Sequence, residues 1–324
     1  MKENFEKRRL VGNLSVSCKY DDGSVRKWED RKEVVVARIQ EIVTYYESLG
    51  YKLTLRQLHY QFVSRNWIVN HDTAYKKLGK ILDDCRYCGL VDWNSVEDRG
   101  RVSFLPYYVF DIPDALNDTI ENYRLDRQDD QNTHIEVWTE KDALSGIMKR
   151  STSKYGVRLV VNKGYTSSSA IYSAYERLAK QLGYRKVVIL YFGDHDPSGL
   201  DMVRDIRERL EFMFQNGQRQ PAYENNRFKV IPIGLTMKQI EEFDLPPNPT
   251  KLTDSRSEKY IEEFGETCWE VDALKPEVLT EIVEKNINDN MDNNLFQKKL
   301  EQEKSDKAIL KTFIDEYNSR DLEK

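Results

Sequence analysis

Residues 187–199 read VVILYFGDHDPSG, and this stretch constrains the fold more than any other. The aliphatic and aromatic run over 187–192 predicts a strand buried on both faces, as in a parallel sheet covered by helices. Gly193 lets the backbone turn, and Pro197, Ser198 and Gly199 open a helix. Side chains alternate sides along extended chain, so Asp194 and Asp196 are expected to point together and His195 to turn away. The carboxyl end of a buried strand is where open α/β sheets place their sites. Two unneutralised carboxylates repel each other, and a cation relieves that repulsion. Hard oxygen ligands favour Mg²⁺ over a transition metal, with Mn²⁺ as the substitute.

A third carboxylate fits the same picture. HIEVWT, residues 134–139, predicts an earlier strand with Glu140 at its end, before a helix over 141–154. Between the two acidic sites lies a strand over 157–161, a turn at Lys163, Gly164 and Tyr165, and a helix over 166–182 capped by Thr166 or a following serine. This order of elements lets Glu140, Asp194 and Asp196 meet at one edge of a parallel sheet. Aspartate and glutamate also cap helices, so each acid taken alone has that second reading.

The 324 residues suggest two domains or one large one, and the hydrophobic share of 39% supplies two cores. No apolar run reaches membrane-spanning length, and the charged start MKENFEKRRL lacks the apolar stretch of a signal peptide. The expected location is therefore intracellular, in the cytoplasm, with no membrane contact. Four cysteines fit reduced thiols there. Cys85 and Cys88 form a CxxC without a second pair, and Ala74, Leu78, Ile81, Leu82 and Cys85 recur at helical spacing, so Cys85 reads as core. No phosphate-binding G-x-x-x-x-G-K-[ST], no G-x-S-x-G and no H-E-x-x-H is present.

Along the chain, residues 1–30 are polar and expected to be partly irregular. An amphipathic helix over 33–49 ends at Gly50, and Thr54 with Gln57 forms a capping box for a helix running to about Ser64. Asp72 is expected to cap a third helix over 73–88. Residues 90–93 and 102–110 then supply the strands of a wing. Three helices and a hairpin suggest a winged-helix domain over 31–116, whose third helix carries Lys76, Lys77, Lys80 and Arg86. The net charge is −5, so only such a local basic stripe can bind nucleic acid, and an ordinary solvated helix face is the alternative. Residues 117–132 read as a linker or a helix plus linker, 133–290 as the α/β domain with a fourth strand over 228–233, and 291–324 as an exposed helical tail. Lys141 and Lys163 are candidates for phosphate contacts near the metal, and Lys251, Asp254 and Arg256 for completing a DNA groove.

The constellation EVWTEK, NKGYT and ILYFGDHDPSG resembles the Toprim domain shared by topoisomerases, primases and some nucleases. DHDPSG is especially similar to the motif of the topoisomerase VI A subunit and the related meiotic double-strand-break transesterase, with short mini-A relatives the nearest in pattern. The resemblance implies a Rossmann-like parallel sheet preceded by a winged-helix domain, with Glu140, Asp194 and Asp196 as Mg²⁺ ligands and Glu140 also catalytic. It also implies a DNA-attacking tyrosine in a segment like R-x-x-Y-Y. Here Leu55-Arg56-Gln57-Leu58-His59-Tyr60 places Tyr60 on the second aromatic, with His59 in the place of the first and Gln57 in the place of the usual acid. The implied partners are double-stranded DNA, a second copy that brings the tyrosine of one chain to the metal of the other, and a separate ATPase subunit.

Chemistry supports the pair independently. Arg56 and Tyr60 are four residues apart and share a helix face. Tyrosine titrates near ~10, and a guanidinium beside it favours phenolate. Phenolate attack on a phosphodiester leaves a phosphotyrosine ester that can be resealed. Two rival functions remain at this stage: a Toprim nuclease that uses activated water, with Tyr60 structural, and a DNA-binding or regulatory module without catalysis.

Overall fold

The computed structural model describes residues 10–20, 22–97, 107–162, 164–216, 227–250, 254 and 256–321. The chain is α/β, and its largest sheet has four parallel strands.

The N-terminal unit begins with an antiparallel hairpin, β1 (Asn13–Lys19) and β2 (Val25–Arg31). This segment was expected to be irregular. Leu14, Val16 and Cys18 alternate with polar residues, and that period of two buries one face. Three helices follow: α1 (Lys32–Ser48), α2 (Leu55–Ser64) and α3 (Asp72–Tyr87). The Thr54–Gln57 capping box forms as expected at the start of α2. His71, rather than Asp72, caps α3, its side chain accepting from the Thr73 amide. Leu53–Thr54 (β3) pairs in parallel with Val96–Glu97 (β4), while residues 90–93 make turns instead of a wing strand. The other half of the expected wing lies largely outside the described residues. Hairpin and helices share one core built on Trp28, Ile39, Leu58, Phe62 and Leu78.

Helix α4 (Ile112–Asn122) occupies the front of the expected linker, with Asp111 capping it. The sheet unit then runs β5 (Thr133–Thr139), α5 (Ser145–Tyr155), β6 (Arg158–Val161), α6 (Ser168–Leu182), β7 (Lys186–Phe192), α7 (Pro197–Asn216) and β8 (Phe228–Gly234). The strand order is β6-β5-β7-β8. β7 is buried on both faces beyond its exposed first residue, as its apolar run predicts. Val188, Leu190 and Phe192 face one core with Ile147 and Met148 of α5. Val187, Ile189 and Tyr191 face the other, with Leu178 of α6 and Ile206 of α7.

Beyond the sheet come α8 (Met237–Glu242), the two-residue strands β9 (Asn248–Pro249) and β10 (Thr267–Cys268), and α9 (Ser257–Phe264) between them. A 3-10 turn (Val271–Ala273) leads into α10 (Pro276–Asp289) and α11 (Asn293–Asp321). The expected free tail docks in part on its own chain. Glu303 of α11 is buried and accepts two bonds from Arg127, at 3.0 and 3.1 Å, and Tyr123 donates to Asp306. Among the described residues no helix is long and apolar enough to cross a membrane.

Candidate functional site

In the strand order of this sheet, the chain reverses its direction of winding between β5 and β7, and in open α/β sheets the carboxyl ends at such a point are where ligands bind. Thr139 pairs with Phe192 across those strands. Residues two positions further on each strand therefore come level, and these are Lys141 and Asp194. The Lys141 ammonium lies 2.6 Å from Asp194 Oδ2.

A second segment closes on the same point. His195 and Trp269 form an isolated antiparallel bridge, with amide-to-carbonyl bonds of 2.9 and 3.0 Å. The His195 ring turns away from the acids, as alternation predicts, and packs edge-on against Phe264 with centroids 4.8 Å apart. Its Nδ1 lies 2.9 Å from the Tyr260 hydroxyl. This bridge brings Glu270-Val271-Asp272 alongside Asp194. The Val271 amide donates to Asp194 Oδ1 at 2.9 Å, and Glu270 and Asp272, its neighbours in sequence, both reach Lys141 and Arg56. Among the described residues, oxygens of Asp194, Glu270 and Asp272 lie within 4.8 Å of one another. Lys141 Nζ sits among them, 2.7 Å from Glu270 Oε2 and 3.2 Å from Asp272 Oδ2.

Sequence reasoning missed Glu270 and Asp272. A signal was present: E-V-D repeats the acid–apolar–acid alternation of D-H-D and stands just before a proline-led helix. Asp194 belongs to the cluster, whereas Glu140 and Asp196 form a neighbouring pair. Burial and the charge of Asp196 push the Glu140 carboxyl up, with Lys141 pulling the other way. Asp196 Oδ1 accepts from Ser198 Oγ at 2.9 Å and from the Gly199 amide at 2.6 Å, so it caps α7. Gly199 has no room for a side chain, because a Cβ would collide with the Asp194 carbonyl.

Arg56 and Tyr60 reach the cluster from α2 of the same chain. Arg56 Nη2 donates to Glu270 Oε2 at 3.1 Å, and its Nε is 3.5 Å from Asp272 Oδ2. Tyr60 lies near enough to Glu270 to feel its negative charge, and the Arg56 guanidinium lies 5.5 Å from the Tyr60 ring centre. Tyr60 and these acids thus meet within one chain, because α2 packs directly against the Val271–Ala273 turn. The expected bias toward phenolate is also outweighed. Burial and the negative charge of Glu270 push the Tyr60 hydroxyl up, and Arg56 offsets only part of this. Tyr60 is 6% exposed.

The electrostatics describe a site short of positive charge. Burial works against ionised Glu270, yet Lys141 and Arg56 outweigh it and hold the carboxyl down at about 2. Asp194 has less relief, and burial pushes it well above the usual carboxylate range although Lys141 pulls the other way. Both Asp272 oxygens are buried without a hydrogen-bond partner among the described residues. An oxygen-only donor set with an unspent carboxylate suits a hard divalent ion. Asp194, Glu270 and Asp272 can therefore hold one.

The expected nucleic-acid contacts are scattered. Lys76 is exposed and lies 3.3 Å from Asp72, Lys80 is exposed, and Lys77 is half-buried. Arg86 turns inward, bonding the Val96 carbonyl and lying 3.7 Å from Asp83. Lys163 lies outside the described residues, as does Lys251. A cleft of about 390 Å³ beside the cluster is lined by Arg56 and Arg86, but also by Asp83, Glu97 and Asp142. Compared with known proteins, the chain matches no family model and no curated protein.

Proposed function

We propose that this chain cleaves DNA strands by tyrosine transesterification with a divalent metal, in the manner of the type IIB topoisomerase A subunits its motifs resemble. The observation that carries this reading is the clustering of Tyr60, Arg56 and the carboxylates of Asp194, Glu270 and Asp272 in one chain. In the reaction, the Tyr60 oxygen bonds to phosphorus and the bond from phosphorus to a sugar oxygen breaks. The phenol proton passes to water, and the sugar oxygen takes one up. The tyrosine must first leave the burial and the negative charge of Glu270 that keep it neutral. Arg56, half exposed, can then turn its planar fork to the phosphate. A metal held by Asp194, Glu270 and Asp272, Mg²⁺ by the hardness of the ligands, supplies positive charge beside that phosphate. Glu140 and Asp196, next to them, add negative charge that strengthens the attraction.

In this reading residues 31–116 serve as a winged-helix module, with Lys76, Lys77 and Lys80 on the DNA side of α3. Two copies acting together would cut two strands, and a separate ATPase subunit would drive strand passage. One observation favours the rival hydrolytic reading: Tyr60 is buried, as a structural tyrosine would be. The test is to incubate wild type and Tyr60→Phe with supercoiled DNA and Mg²⁺, then denature with detergent. Protein-linked ends in wild type, mapped to Tyr60 and lost in the variant, support transesterification. Equal cutting by both proteins, with no linked ends, replaces it with hydrolysis.

A further inference from the structure

Lys141 occupies the place where a metal ion would stand. Its side chain is 11% exposed, and its ammonium lies 2.6, 2.7 and 3.2 Å from oxygens of Asp194, Glu270 and Asp272. An ammonium has three donors in a compact tetrahedral head. Here it bonds Asp194 and Glu270 and pairs more loosely with Asp272 Oδ2 at 3.2 Å, while Asp272 Oδ1 is buried with no hydrogen-bond partner among the described residues. The three acids thus carry more oxygen atoms than the three donors of a lysine can serve. A divalent ion takes six or more oxygens at shorter range. It cannot share that space with an ammonium, because two cations so close in a buried site repel strongly.

We propose that Lys141 is a tethered counter-ion that a divalent metal displaces from the Asp194–Glu270–Asp272 cage. The proposal rests on reading the cage as a cation site and is independent of whether Tyr60 attacks DNA. Lys141 suits the role by position. It lies between the end of β5 and the 3-10 turn Asp142–Leu144, and its backbone amide is anchored at 3.1 Å to Thr139 Oγ1. The backbone can stay in place while the four-carbon stem swings. Before metal arrives, Lys141 keeps three crowded carboxylates, two of them buried, from repelling one another. Afterwards it is a free ammonium at the rim, where a phosphate would enter.

Two measurements on the full chain test this, both with Mn²⁺ alone and no DNA. In calorimetric titration, Lys141→Met should bind Mn²⁺ at least about tenfold more tightly than wild type, because the competing charge is gone. Equal or weaker binding by a folded Lys141→Met overturns the proposal, as does absence of Mn²⁺ binding in both proteins. Should the variant fail to fold, wild type supplies the answer through amine acylation read by mass spectrometry. Lys141 should be protected without metal and become reactive as Mn²⁺ saturates the protein. Protection that persists at saturation overturns displacement. A chain that binds Mn²⁺ and releases Lys141, yet forms no tyrosine-linked DNA, would refute the transesterase reading and leave this one standing.

Discussion

Replacing Arg177 by Met should cost this chain about 3 kcal/mol at neutral pH, as judged from Glu136. Glu136 points from β5 into the core between the sheet and α6 and is fully buried. Arg177 donates to it at 2.7 and 2.9 Å, Trp138 Nε1 donates at 2.9 Å, and His134 approaches at 3.6 Å. Burial alone would push the carboxyl up, but these partners outweigh it and bring it from 4.5 down to about 2. At about 1.4 kcal/mol per pH unit, that shift corresponds to about 3 kcal/mol for His134, Arg177 and Trp138 together, and breaking a buried ion pair by removing one partner costs about 3–5, here moderated by Arg158 at 3.6 Å. Because the folded carboxyl titrates below its ordinary value, the stability it confers is present above 4.5 and is lost as pH falls toward about 2. In Arg177→Met the carboxyl titrates higher, and once protonated it no longer suffers as a buried charge. The gap between the two proteins should therefore be widest at neutral pH and narrow in acid. Urea unfolding at several pH values, followed by the fluorescence of Trp138 and its neighbours, measures both quantities. A gap below about 1 kcal/mol at pH 7, the scale of a surface ion pair, or a gap that does not narrow in acid, refutes the reasoning.

Further outcomes are expected elsewhere. His59 is buried against Tyr60 and Tyr75, its Nε2 has no hydrogen-bond partner among the described residues, and burial followed by Arg56 pulls it from 6.5 down to about 4. The unfolded chain thus takes up a proton between those values that the folded chain refuses, so wild type should lose about 2 kcal/mol at pH 5 on this account. His59→Phe should remove that loss in paired urea titrations at pH 7 and 5, and an identical pH dependence would count against it. Gly199→Ala should shift the Asp194 turn and weaken Mn²⁺ binding while far-ultraviolet dichroism stays unchanged; full affinity in a folded variant would show that the turn tolerates a side chain. Glu303→Ala should open the 123–131 segment to limited proteolysis, since Arg127 and the Leu125 amide lose their acceptor, and an unchanged cleavage pattern would contradict this.

The sheet was legible because each of its strands advertises itself locally. Runs of apolar residues bounded by turns located β5, β7 and β8 to within a residue or two at each end. The Thr54–Gln57 box likewise depends on residues three apart and was read directly. Asp194 followed from its position at a strand end. Glu270 and Asp272 did not, because their place is set by the His195–Trp269 bridge, a pairing between distant segments that no local period encodes. Asp196 has a second use that alternation does not reveal: its Oδ1 caps the following helix by accepting from Ser198 and Gly199. Lys141 was readable as a cation near the acids, but its burial among three of them was not, since two of those acids had not been placed there.

The docking of α11 has a consequence for how the chain assembles. Gln128 clamps the start of β5, its amide oxygen accepting from the Ile135 amide at 2.6 Å and its nitrogen donating to the Ile135 carbonyl at 3.1 Å. The neighbouring Arg127 is anchored to Glu303, 176 residues away in sequence. Ends this far apart meet late, after nearer contacts have formed. During synthesis the leading strand of the sheet must therefore wait for this brace until the chain has grown past Glu303.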